Sequence, residues 1–302
     1  MLKDNQTNEL LQKRGFVILP PLDNSLINKF KELFSSLHPE MPTEGHISTA
    51  YSTDLEYKEK SNKLILELCR PVIDQLLTDI DIYGSSFVYK MPSMQSQLRP
   101  HQDWSLVDES LYQQFNLWIP LCDIDEKNGM MYLIPGSNFK NFPYVRATNV
   151  DYFYESQKDI VFQHSIPIKV KAGSIVLFDN SLIHYSDPNL SGSTRVAIVC
   201  TLFTKGAPTL VFYHDKVNHR MNAYLANHGF ALDFKDFFND IQKPPPGLPL
   251  VKSESFEMPK MSRKALHDLF NIMRLKAGYE PLKFSNSITS WLIRIKNKVN
   301  LT

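Results

Sequence analysis

Cysteine is scarce, with three in 302 residues. Cys69, Cys122 and Cys200 are odd in number and far apart, and each sits in an apolar setting (LELCRP, IPLCDI, AIVCTLF). This argues against a disulfide framework. The thiols read as small buried hydrophobes, and a reducing, cytoplasmic compartment fits best. Charge of one sign is also missing: 33 Lys and Arg stand against 32 Asp and Glu, a formal net charge of +1. No global field draws a polyanion, so nucleic-acid binding is not expected. There is no run of about 18 apolar residues, and so no expected membrane span. The opening MLKDNQTNELLQKRGF has no apolar core of signal-peptide length, so no leader is expected. Internal repeats and low-complexity tracts are absent. What is present is an ordinary globular composition, 43% hydrophobic and 22% charged, long enough for one large domain or two smaller ones.

Texture divides the chain in three. Residues 5–15 read as a polar helix stopped by Gly15, and FVILP as a short strand closed by Pro20 and Pro21. In 25–37, Leu26, Ile27, Phe30, Leu33, Phe34 and Leu37 fall at helical spacing, with Asn24 or Ser25 as N-cap. Residues 38–54 read as a loop. A second helix is expected from about Leu55 through Cys69, resuming after Pro71. From Tyr83 to Phe203, short β-rich runs alternate with turn signals: SSFVYKM, FNLWIPL, MMYLIPG, SIPIKVKAG, SIVLFDN and RVAIVCTLF. Strands at this spacing without helices between them predict a sandwich or barrel. Asn128-Gly129 predicts a hairpin corner. Beyond Gly206 the expectation is a short apolar piece (TLVFYH) with helical pieces. A stiff connector, KPPPGLP at 243–249, follows, then helices at 262–275 and 287–299.

The chemistry concentrates in RPHQDWSL, 99–106. As strand residues, His101 and Asp103 share a face. An imidazole and a carboxylate projecting together can hold one ion, and a second histidine would complete a facial triad with open coordination positions. Zinc sites use similar sets, so the triad alone does not name the metal. Between 83 and 203 the remaining histidines are His164 and His184. His184, just past the apolar strand SIVLF, is preferred over His164, which lies in a polar stretch. A co-substrate carboxylate calls for a guanidinium. Arg195 shares a strand face with Ala197 and Val199, so it points inward if that face is core, or caps the strand at its solvent end. Trp118 shares a face with Asn116.

These blocks carry a resemblance. HQD at 101–103, FNLWIPLCDIDEKNGMMYLIPGSN at 115–138 and GSIVLFDNSLIHYSDPNLSGSTRVAI at 173–198 resemble the phytanoyl-CoA dioxygenase family of iron(II)- and 2-oxoglutarate-dependent oxygenases. The likeness is firm over about 83–203. It departs at Asn138, where the family's PGS block usually ends in histidine. The resemblance implies a mainly β chain with packed helices, its core a double-stranded β-helix of jelly-roll type. It implies His101, Asp103 and His184 as iron ligands, Arg195 on the distal carboxylate of 2-oxoglutarate, and Trp118 lining the co-substrate pocket. Dioxygen is the other co-substrate, succinate and carbon dioxide the by-products, and an unactivated C–H bond of a small molecule the target. Related halogenases lack the carboxylate, so Asp103 argues for hydroxylation.

The expected substrate wall comes from 40–54, from SSFVYKM and from 138–160. Tyr89, Trp104 and Arg146 are candidate pocket residues, and Lys90 and Arg99 are further polar groups. An amino acid or other polar metabolite is favoured. The expected organisation is a core over 1–205 with N-terminal helices, and a C-terminal extension over 206–302 acting as lid or homo-oligomer contact. A non-catalytic β-barrel binding protein and a metal-dependent hydrolase using the same triad are the rival classes. The intact triad together with Arg195 argues against both, since a hydrolase needs no carboxylate anchor there.

Overall fold

The computed structural model describes residues 1–38, 40–233 and 241–284. The basic helix expected at 287–299 lies outside them. Helix α1 (Asn5–Arg14) opens on the Asp4 carboxylate, which accepts the Thr7 N–H. It ends at Gly15, whose φ of 79° lets its N–H return to the Leu11 carbonyl. Strand β1 (Phe16–Leu19) leads to helix α2 (Asn24–Leu37). The N-cap of α2 is Asp23, which accepts the Leu26 N–H at 2.8 Å, rather than Asn24 or Ser25. Inside the expected loop a short strand, β2 (His46–Ser48), pairs with the end of β3 (Ile80–Lys90). Helix α3 (Leu55–Leu76) runs on through Pro71 instead of stopping there. Ile65, Cys69 and Ile73 explain this: at four-residue spacing they form one buried stripe, and its burial outweighs the single backbone bond that proline removes.

The barrel strands follow: β4 (Leu98–His101), β5 (Gln114–Pro120), β6 (Met131–Leu133), β7 (Ile166–Ile168), β8 (Ile175–Asp179), β9 (His184–Ser186) and β10 (Arg195–Thr204). Helix α4 (Lys158–His164) precedes β7. They form two antiparallel sheets, six-stranded in the order β1-β8-β5-β10-β3-β2 and four-stranded in the order β4-β9-β6-β7. Asn128-Gly129 does turn the chain, with Gly129 at φ 87°, but it joins β5 of one sheet to β6 of the other. It is a crossover, not the hairpin the sequence suggested. Between the sheets pack Trp118, Val176, Phe178 and Ala197 from one side and Met131 and Tyr185 from the other. The outer face of the larger sheet packs on α2 and α3 through Phe30, Ile65, Phe87 and Leu117, each contributing roughly 1.5–3 kcal/mol by leaving water. This is a double-stranded β-helix with helices packed outside.

Past the barrel, β11 (Thr209–Asp215) on the expected apolar piece, β12 (Arg220–Ala226) where helical pieces were expected, and β13 (Leu250–Ser255) just beyond the proline-rich connector make a three-stranded antiparallel sheet. A single helical turn, α5 (Phe230–Asp233), follows β12. Helix α6 (Arg263–Lys276) buries Leu266, Phe270 and Met273 against Tyr144, Tyr154 and Ile183 of the core. At the end of α4, His164 and His267 of α6 share a hydrogen bond of 2.9 Å between Nε2 and Nδ1, and Arg274 donates to the His164 carbonyl at 2.7 Å. Gly136 makes the close approach possible: its φ is 78°, and a Cβ there would lie 2.4 Å from the Met273 carbonyl oxygen. Among the described residues, no helix is long and apolar enough to cross a membrane.

Candidate metal centre and co-substrate pocket

Strands β4 and β9 are antiparallel neighbours, and His101 stands directly across from His184. Opposed residues project to one face, so the pairing alone brings the two imidazoles together, with ring centroids 4.1 Å apart. Asp103 lies just past β4, held by its N–H donating to the Asn180 carbonyl at 2.9 Å. One ligand atom from each of His101, Asp103 and His184 falls within 4.8 Å of the others. His164, the other candidate, is on α4 against His267 and away from this group.

The donors are prepared for a cation. His101 Nδ1 faces the Arg99 carbonyl at 2.8 Å, and His184 Nδ1 faces the Leu182 carbonyl at 2.9 Å. A carbonyl only accepts, so each Nδ1 carries the proton and each Nε2 presents a lone pair to the centre. Burial, helped by the neighbouring His184, pushes the His101 pKa down to about 4, which keeps its imidazole neutral. Asp103 Oδ2 accepts from Asn116 Nδ2 at 2.7 Å, and Asn116 Oδ1 in turn accepts from Thr201 Oγ1 at 2.8 Å. This relay from β10 through β5 orients the carboxylate, leaving Oδ1 3.7 Å from His101 Nε2. Two imidazoles and one carboxylate, all on one side, fit a divalent iron-type ion with open positions.

Arg195 is buried on the inner face of β10, with its guanidinium carbon 5.5 Å from the centroid of the Trp118 ring. Its Nε has no hydrogen-bond partner, and burial lowers its pKa to about 10. A desolvated guanidinium with an unused donor is suited to a carboxylate. Trp104 is half-buried beside Asp103.

Two expected pocket residues lie elsewhere. Tyr89 points to the outer face of β3, where its ring meets those of Phe34 and His38, both at 5.2 Å. Strand alternation is the reason: its neighbour Lys90 takes the inner face. Arg146 sits behind the candidate triad, against the backbone of Asp103. Its Nε holds the Asp103 carbonyl at 2.7 Å, Nη1 the Tyr144 carbonyl at 3.2 Å and Nη2 Glu109 at 2.6 Å. Burial opposes its charge, but Glu109 outweighs that and raises its pKa. All three nitrogens being committed, it is a brace and not a substrate contact. Asn138, in the family's histidine position, is buried and bonds Asn141 within its own turn at 3.1 Å. Arg99 is exposed.

Three neighbours of the centre were not singled out from sequence. His46, in the supposed loop, shares a sheet row with Lys90, and burial with Lys90, Arg195 and His101 nearby holds its pKa well down. Tyr51 is 43% exposed, yet protein crowds its phenol enough to push its pKa to about 12, with Asp103 adding to the effect. Tyr152 donates to the Gln102 carbonyl at 3.0 Å, and burial and Asp103 raise its pKa. The stretches 40–54 and 138–160 were named as walls, but no periodicity marks which of their side chains turn inward.

The fold is a jelly-roll barrel, and its interior gathers His101, Asp103 and His184 as a candidate metal triad. The sequence pattern of the phytanoyl-CoA dioxygenase family matches residues 16–197, and the chain belongs to that family. It is 31% identical over 148 residues to a phytanoyl-CoA dioxygenase of Arabidopsis thaliana, covering 48% of this chain and 49% of the relative. It is 27% identical over 195 residues to phytanoyl-CoA dioxygenase domain-containing protein 1 of Bos taurus, covering 62% and 60%. The chain thus spans about half the length of the curated relatives it matches. Among solved structures it resembles the non-heme alpha-ketoglutarate-dependent carbocyclase SnoK from nogalamycin biosynthesis. The TM-score is 0.50 at 17% identity, over 68% of this chain and 86% of that one, a likeness of fold.

Proposed function

We propose that the chain is a 2-oxoglutarate-dependent oxygenase hydroxylating an unactivated C–H bond of a small molecule, with an amino acid or other polar metabolite favoured. The observation that carries this is the cross-strand pair His101 and His184, joined by Asp103, on the same barrel interior as the buried Arg195. His101, Asp103 and His184 would hold iron(II) through two Nε2 atoms and one carboxylate oxygen, Arg195 would take the distal carboxylate of 2-oxoglutarate, and Trp118 would wall the co-substrate. Bound there, iron(II) would supply the oxidising chemistry with 2-oxoglutarate and dioxygen as co-substrates, and succinate and carbon dioxide would be the by-products. The protein's part is placement. The Asn116–Thr201 relay keeps the Asp103 carboxylate aimed inward, and Arg146 braces its backbone. Tyr51 and Tyr152, their pKa values raised, remain protonated near neutrality and polar toward whatever enters beside Asp103. Trp104 stands at the same side as a further wall.

A hydrolase on the same triad has no use for a desolvated guanidinium deep in the barrel, and a plain binding protein has none for two imidazoles held with free Nε2 atoms. The test is succinate release on adding iron(II) and 2-oxoglutarate, with pooled metabolites screened by mass for a gain of one oxygen. His101→Ala and Asp103→Ala should each abolish release while leaving the circular dichroism spectrum unchanged. Full release from either variant would sink the assignment.

A further inference from the structure

Next to Arg195 in the sheet the barrel holds a second buried basic residue. On the larger sheet, His46 of β2, Lys90 of β3 and Arg195 of β10 stand in one row across three strands. Directly opposed residues share a face, with Cβ atoms about 4.5–5.5 Å apart, and like charges so placed destabilise the sheet. Lys90 is 0% exposed and Arg195 3%. The row faces inward, since His46 feels Lys90, Arg195 and His101, and His101 in turn feels Lys90. Room for the lysine is built in: a Cβ on Gly129, whose φ is 87°, would lie 2.6 Å from Lys90 Cδ. The Lys90 ammonium donates to the Ser96 carbonyl. Asp187 supports its charge, but burial and Arg195 prevail and bring its pKa down to about 6. A desolvated guanidinium with an unused Nε, beside a lysine whose charge is disfavoured by burial, is at its most favourable when an anion joins the two.

We propose that Lys90 is a second co-substrate-binding residue, which together with Arg195 grips the distal carboxylate of 2-oxoglutarate. This rests on the oxygenase reading above. A carboxylate has two oxygens, and the pair offers a planar fork on one side and an ammonium on the other. Binding would then draw a proton onto Lys90, because the entering anion favours its charged form. The groups around that ammonium are Arg195, His46, His101 and Asp187, of which Asp187 alone is acidic.

The experiment uses anaerobic iron(II)-loaded protein and two ligands, 2-oxoglutarate and 2-oxopentanoate, which keeps the keto acid but carries a methyl in place of the distal carboxylate. Affinities are read from the visible charge-transfer absorption of the chelate. In the parent protein 2-oxoglutarate should bind far more tightly. In Lys90→Met it should weaken on the order of 10- to 100-fold, with 2-oxopentanoate unchanged. Binding of 2-oxopentanoate also shows that the variant is folded. Equal weakening of both ligands, or of neither, overturns the proposal. A measurement needing no variant is calorimetry of the parent in two buffers of different ionisation heat at pH 7.5. Net proton uptake with 2-oxoglutarate and none with 2-oxopentanoate supports it, and equal uptake refutes it. Failure of the parent to bind either keto acid would instead bring down the oxygenase reading.

Discussion

Removing the carboxylate of Glu109 should damage this protein more than removing almost any surface charge. Glu109 Oε1 meets Arg146 Nη2 at 2.6 Å, with the two side chains 4% and 2% exposed, and Oε2 accepts from Ser105 at 2.6 Å. Glu109→Ala strands a guanidinium that solvent does not reach. Breaking a buried pair from one side costs about 3–5 kcal/mol, a third or more of the stability of many domains. A double variant, Glu109→Leu with Arg146→Met, should recover part of that. Recovery stays incomplete because the Asp103 and Tyr144 carbonyls lose their donors, at about 1–3 kcal/mol each. The control is Lys171–Asp123, an ion pair of similar length (2.7 Å) whose side chains are 81% and 58% exposed. Lys171→Met should leave the midpoint unmoved, since water screens that pair. Urea titration of the three variants at constant slope is the assay. A loss under about 1 kcal/mol for Glu109→Ala would refute the reasoning. It would mean that water reaches Arg146, which could then face a substrate as the sequence first suggested.

Asn116→Ala removes the donor that aims the Asp103 carboxylate. Metal affinity, followed by calorimetry with a divalent ion, should fall roughly 10- to 100-fold, and an unchanged affinity would show the relay to be idle. Acid should weaken the dock between α4 and α6. Burial, with His267 and Arg274 nearby, holds the His164 pKa at about 3, below the 6.5 of an unfolded histidine. The unfolded chain therefore takes up the proton first. The contribution is intact above pH 6.5 and declines as pH falls toward 3, by about 1.4 kcal/mol per unit. His164→Asn should flatten that limb of the stability profile; a slope equal to the parent's would contradict it. Tyr89→Phe should leave 2-oxoglutarate affinity untouched, whereas Tyr89→Ala should cost about 3–5 kcal/mol of stability by emptying a core site against Phe34. Loss of co-substrate affinity in the phenylalanine variant would put Tyr89 back in the pocket.

Where packing repeats along an element, the sequence announces it. The runs around Phe87, Trp118, Leu177 and Ile198 are long enough to display β character by themselves, and all are strands. Helix α2 shows its buried stripe by spacing. The short strands were harder. His184 begins a three-residue strand and His101 ends a four-residue one, lengths at which no alternation can be read. The two histidines were legible through ligand chemistry, but not the cross-strand register that joins them. Tyr89 and Lys90 show the cost of an unknown register, because a shift of one residue exchanges the two faces. Arg146 illustrates a different limit: its partner Glu109 lies 37 positions away, and only the folded chain reveals that the pair neutralises itself. Strand β2 escaped notice because its pairing depends on the end of β3, not on its own three residues.

Strand β4 is the edge of the smaller sheet, and it meets β9 at only two places, Leu98 with Ser186 and His101 with His184, with the register slipping between them. A seam so thinly stitched resists fraying poorly by its own hydrogen bonds. An ion gripped by both imidazoles would act as a rivet through that seam. At a hundredfold excess over its dissociation constant, a ligand that binds only the closed form adds about 2.7 kcal/mol. Occupancy would then govern the shape of the barrel's rim as well as its reactivity. Chelation should first open the lip that carries Asp103 and Trp104, well before the larger sheet gives way.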